Sequence, residues 1–108
     1  MLRRLILICY FAAAPAMAHY NSNMQGELEG VYVYTDGDYI YFRLKNQPDS
    51  HPTCNPFYFV ISETVPYERR TMLLSRLLAA YATKEIVNIG FDGQGACVHG
   101  YIQAHRVG

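Results

Sequence analysis

This chain of 108 residues has no tryptophan, three cysteines, and nine basic side chains against nine acidic ones. Each shortage rules something out. Nucleic-acid binding draws on a basic footprint, which a balanced chain does not supply. No CxxC spacing supports a metal or redox pair of thiols. No apolar run approaches the roughly twenty residues that a membrane helix needs. Internal repeats, low-complexity tracts and linkers are also missing. Neither Ser62 nor Ser75 sits in a nucleophile-elbow pattern. Asp92-Gly93-Gln94-Gly95 holds a single carboxylate where a calcium loop uses several oxygens, so it reads as a turn. Glu27 and Glu29 stand at strand spacing, but adjacent carboxylates alone make no acid–base pair. We expect no enzyme, no metal site and no cofactor.

What is present begins at the first eighteen positions. Met1-Leu2-Arg3-Arg4 is a short basic start, residues 5–14 are an apolar run, and Ala16-Met17-Ala18 is a small-x-small exit. That order is the pattern of a secretory signal peptide. Cleavage after Ala18 is expected, leaving a mature chain of about ninety residues, periplasmic or secreted, enough for one small domain. Arg3 and Arg4 leave with the leader, so the mature domain leans acidic. Cys9 leaves too, and the remaining pair, Cys54 and Cys97, reads as one disulfide in an exported domain. It would close a loop of about forty residues, worth roughly 4 kcal/mol in the chain-entropy model. His19 would become the terminal residue. A copper chelate there needs further ligands set nearby.

Residues 19–26 are polar and read as a flexible N-terminal lead, followed by a single domain over 27–108. From Glu27 the pattern turns to strand. Val31 and Val33 alternate with Tyr32 and Tyr34; Ile40, Phe42 and Leu44 alternate with Tyr39, Tyr41 and Arg43. Asp36-Gly37 between them is a two-residue hairpin signal. Pairing about that turn sets Tyr34 opposite Tyr39, Tyr32 opposite Tyr41, Val33 opposite Ile40 and Val31 opposite Phe42. One face then carries Val31, Val33, Ile40 and Phe42, and the other carries four tyrosines. Residues 46–56 are a proline-rich loop, and 57–61 a third strand. Thr64-Val65-Pro66 opens a helix that ends near Thr83, with Leu73, Leu74, Leu77, Leu78 and Tyr81 at helical spacing. Residues 86–91 and 98–107 are further strands. Period two puts His99, Tyr101, Gln103 and His105 on one face of the last, with His99 and His105 about 20 Å apart, beyond the reach of one metal ion.

The order strand, strand, strand, helix, strand, strand predicts a mainly β domain with one helix. It is the connectivity of an OB-like five-stranded Greek-key barrel. An open sheet with the helix on one face uses the same order.

The run from Leu73 through Tyr81-Ala82-Thr83 to Ile86-Val87-Asn88-Ile89-Gly90 resembles a group of small exported bacterial proteins without assigned activity. Gly95-Ala96-Cys97 and Gly100-Tyr101-Ile102, after it, share that resemblance. The helix carrying Tyr81-Ala82-Thr83 into the strand at Ile86 also resembles the B subunits of subtilase-type and typhoid-type AB5 toxins. That likeness implies an exported, disulfide-bonded OB-fold, a homo-oligomeric ring and glycan recognition. The chain departs from that family in being shorter, in lacking tryptophan and in lacking its serine-bearing sugar pocket, so no binding residue carries over by motif.

The candidate binding residues therefore come from the hairpin. Tyr32, Tyr34, Tyr39 and Tyr41 offer flat apolar rings with hydroxyls, suited to stacking on sugars or packing against a protein, and Arg43 continues the same side. The sequence points to an exported binding module for a glycan or a protein, without nucleic acid and without a membrane span in the mature chain. A structural or accessory envelope protein acting through protein contact alone is the alternative.

Overall fold

The computed structural model describes residues 20–108. The expected leader, the cleavage point, Cys9 and His19 lie outside the described residues. The elements are β1 (Ser22–Val33), β2 (Ile40–Leu44), β3 (Asn55–Ile61), α1 (Tyr67–Thr83), β4 (Ile86–Phe91) and β5 (Tyr101–Val107). The strands close into a barrel in the order β1-β2-β3-β5-β4. The architecture is mainly β with one helix, an OB-like barrel. Closure depends on the length of β1. Its first half pairs with β4, from Ser22 opposite Phe91 to Glu27 opposite Ile86, and its second half pairs with β2. The register slips between Leu28 and Gly30, so Glu29 is the extra residue of a bulge. A bulge bends a strand and adds twist, as a strand shared by two neighbours requires. The barrel shuts where β3 runs parallel to β5.

The expected lead over 19–26 is corrected from Ser22 onward, where the chain is strand. Its Asn, Gln, Ser and Gly residues have poor strand propensity, but β4 supplies a ladder partner for each, and pairing overrides propensity.

The hairpin has the expected register: Val33 opposite Ile40, Tyr32 opposite Tyr41, Val31 opposite Phe42. The turn differs. Strand pairing stops at Val33 and resumes at Ile40, and Gly37 is not in the left-handed region that a type I′ turn demands. Gly37 serves close approach instead, since a Cβ there would collide with the Tyr39 ring. The left-handed two-residue turn lies at His99-Gly100, with φ of 52° and 85°. Val98 and Tyr101 flank it and exchange both backbone hydrogen bonds at 2.9 Å. The last strand therefore starts at Tyr101, and His99 is a turn residue, off the strand face expected for it.

The interior is filled by Phe42, Phe59, Leu28, Leu44, Ile61, Leu77, Ile89 and Ile102, all fully buried. Each large apolar side chain so placed stabilises the fold by roughly 1.5–3 kcal/mol. Phe42 and Phe59 meet at 5.4 Å between ring centroids, and Phe59 and Phe91 at 5.2 Å. From α1, Leu77 and Ala80 enter this core, with Leu73 and Leu74 packed at its edge. Leu78 and Tyr81, placed on the apolar stripe by spacing, are exposed because the small Ala80 takes the buried position in that part of the helix. Val33, expected to face inward, is exposed at the end of β1.

Cys54 and Cys97 form the expected disulfide, with Cα atoms 5.4 Å apart. It joins the end of the loop that precedes β3, which stops at Cys54 because β3 begins at Asn55 and not at Phe57, to the 92–100 loop. His51 is buried beside it. Its Nδ1 accepts the backbone N–H groups of Thr53 at 3.1 Å and Cys54 at 3.0 Å, which leaves the ring proton on Nε2, 3.5 Å from Cys54 Sγ.

Candidate functional site: an aromatic outer face

Alternation in the strands puts tyrosines outside wherever neighbours point in. Tyr41 stands between buried Ile40 and Phe42, and Tyr101 precedes buried Ile102. Barrel order makes β1, β2, β3 and β5 successive neighbours, so Tyr32, Tyr41, Tyr58 and Tyr101 form one row across four strands. Tyr41 and Tyr58 stack with centroids 5.2 Å apart and planes 6° from parallel. Tyr32 meets Tyr58 edge-on at 5.5 Å, and Tyr101 meets both Tyr41 and Tyr58 edge-on at 5.3 Å. The β1–β2 loop extends the row with Tyr34 and Tyr39, 5.5 Å and 5.1 Å from Tyr41. The rings are half-buried against one another, and Tyr34 is exposed. Val60 shows how deep the layer is. It pairs with Tyr41 and Gln103 on this side, lies outside the interior cluster, and is still fully buried.

Tyr39 Oη donates to Asp36 Oδ1 at 3.0 Å. The other five hydroxyls make no hydrogen bond within the described residues. The Asp36 hydrogen bond raises the Tyr39 phenol above its ordinary value, and desolvation raises those of Tyr41 and Tyr58. All three are neutral hydroxyls at physiological pH. Gly30 makes room for this layer, since a Cβ there would collide with the Tyr32 ring and hydroxyl.

Arg43 lies at one end of the face, as its period places it, but it is not an open cation. Its side chain is 11% exposed. The guanidinium lies 3.9 Å above the Phe57 ring and donates from one Nη to the Phe57 carbonyl at 3.1 Å. Its Nε is 3.5 Å from Glu29 Oε1, close enough for charge attraction, yet without a hydrogen bond. Arg43 thus clamps β3 to β2 and holds Phe57 in place. At the other end, His99 Nε2 stands 3.0 Å from both carboxylate oxygens of Glu63, and its ring lies 4.5 Å from that of Tyr39. The Glu63 carboxyl is held below the usual carboxylate range by a backbone hydrogen bond and then by His99.

Tyr58 and Phe57 belong to this face and were not legible as such; His99, grouped with Tyr101 by period two, meets the face from a turn and not from the strand. Tyr58 sits in an unbroken aromatic run with no alternation. Tyr101 was legible as outward-facing, but its place beside Tyr58 follows from the β3–β5 pairing, which no local pattern encodes.

Among the described residues, no three His, Cys, Asp or Glu side chains converge to hold a metal ion, and no helix is long and apolar enough to cross a membrane. The disulfide is compatible with a secreted or periplasmic protein. No protein-family model, curated protein or solved structure matches the chain.

Proposed function

We propose that this protein is an exported, non-enzymatic binding module that recognises a glycan by stacking it on the outer face built from Tyr32, Tyr34, Tyr39, Tyr41, Tyr58 and Tyr101. The observation that carries the reading is the contiguity of six tyrosine rings over four neighbouring strands and the β1–β2 loop, with five hydroxyls that make no hydrogen bond among the described residues. Tyrosine combines apolar ring area with a hydroxyl at small entropic cost, which suits the alternating C–H and O–H surface of a sugar. On OB-type barrels the central strands and flanking loops are a recurrent oligosaccharide- and oligonucleotide-binding surface, and the acidic lean of the mature chain speaks against a nucleic acid. In this reading Arg43 is a positioning residue.

A glycan array probed with protein expressed from the full chain, and repeated with Tyr41→Ala and Tyr58→Ala variants, tests this. Binding that both variants lose supports it; a blank array removes it. The accessory-protein reading draws on a different surface, the α1 flank where Leu78 and Tyr81 are exposed three residues apart. A partner captured from the envelope and lost on mutating that flank, with the array blank, would favour it.

A further inference from the structure

Resting on the glycan reading, we infer that the aromatic face selects an uncharged saccharide and rejects its carboxylated or sulfated counterpart. Three features of the face lead there. The rings are already packed on one another at 5.1–5.5 Å around Tyr41, so nothing inserts between them and no cage for a cation exists. A ligand lies across the layer, on ring edges, ring faces and hydroxyls. The second feature is the charge at its margins. Asp36 and Glu63 flank Tyr39, one through its hydroxyl and the other through the His99 ring packed on it. Glu29 stands at the far end with Arg43. The third is the commitment of the nearby cations. Arg43 is buried over Phe57 and bonded to its carbonyl. Arg70 donates to the carbonyls of Val65 at 2.8 Å and Asp38 at 3.0 Å, behind the loop. Lys45 is paired with Glu27 at 3.0 Å.

An anionic sugar laid on this face would meet carboxylates while Arg43, Arg70 and Lys45, the nearby cations among the described residues, are already engaged, which is how like charge excludes a wrong partner. A neutral sugar brings hydroxyl donors, and a carboxylate accepts such bonds more strongly than a neutral oxygen does. Asp36 and Glu63 are well placed for that task because each is already oriented: Asp36 by the Tyr39 hydroxyl, and Glu63 by His99 Nε2, which is equidistant from its two oxygens. They are therefore assigned as both hydrogen-bond acceptors for the ligand and the electrostatic filter.

The test uses matched pairs of immobilised oligosaccharides, each neutral glycan beside its sialylated or sulfated form, with wild-type protein and the Asp36→Asn/Glu63→Gln variant. Both substitutions keep size and lose charge. The wild type should bind neutral members at least tenfold more tightly than acidic ones. The variant should lose about tenfold or more on the neutral members, the worth of a charge-assisted hydrogen bond, and discriminate less. Equal or tighter binding of the acidic members by the wild type overturns the selectivity and leaves the aromatic platform standing. Binding to neither form removes the platform itself. Unchanged discrimination in the variant overturns the role of the two carboxylates.

Discussion

Tyr41 and Tyr58 lie face to face on adjacent strands, their rings 5.2 Å apart and 6° from parallel. Neither ring fills the barrel, whose interior belongs to Phe42 and Phe59 on the opposite face of the same two strands. The pair is the centre of an aromatic layer that stabilises the outer face and leaves its hydroxyls outward. Replacing either with alanine should weaken binding far more than folding. In a double-mutant cycle followed by urea unfolding, the stability coupling should be about 0.5–1.5 kcal/mol, the usual worth of an aromatic pair.

Gly30 sits under Tyr32, and a methyl group there has nowhere to go unless the ring lifts. Gly30→Ala should cost about 1–3 kcal/mol, as overpacking does. It should also lower ligand affinity through the displaced ring. Chemical denaturation read by tyrosine fluorescence measures the first effect cleanly, because the chain holds ten tyrosines and no tryptophan.

The disulfide ties the 92–100 loop, which carries His99, to the start of β3. Reduction, or the Cys54→Ala/Cys97→Ala variant, should lower stability by about 2–5 kcal/mol. It should also free His99 from its place against Tyr39 and Glu63. Unfolding curves with and without reductant check the stability, and the NMR signals of the His99 ring report on its release.

Glu63 and Glu85 both titrate below the ordinary carboxylate range when folded, Glu63 through its backbone hydrogen bond and His99, Glu85 through the two hydrogen bonds from Arg76. The unfolded chain therefore binds these protons first as pH falls. Their contribution is present above the unfolded carboxylate value and is lost as pH drops through the folded one. The melting temperature should fall with acidification across that window, and less steeply in Glu63→Gln and Glu85→Gln. At the alkaline end the sign reverses. The raised phenols of Tyr39, Tyr41 and Tyr58 favour the folded state only while they stay protonated. Stability should therefore decline above pH 10, where unfolded tyrosines begin to ionise. Absorbance titration should show part of the tyrosine population ionising later than the rest.

Several of these features could be read from the residues in order. The hairpin register was legible because two strands with independent alternation agree on it, and the disulfide because two cysteines remain after the expected leader. The element order pointed to the barrel. What could not be read depends on distant partners. Residues 22–26 look like a polar tail until β4 is beside them. Tyr58 has aromatic neighbours on both sides, so period two is silent there. Arg43 looks like an open cation until Phe57 and Glu29 close on it. Asp36-Gly37 carries the strongest turn signal, but the left-handed turn formed at His99-Gly100, where a histidine accepts a backbone that more often falls to Asn or Gly.

The central claim is that ligand lies on the tyrosine layer, and calorimetric titration of a neutral oligosaccharide into wild type, Tyr41→Ala/Tyr58→Ala and Leu78→Ala/Tyr81→Ala tests it most directly. The account predicts that the first variant stays folded and loses measurable binding, while the second, altered only on the exposed flank of α1, binds as the wild type does. Binding that survives removal of both stacked tyrosines, or that disappears with the helix variant, would contradict it.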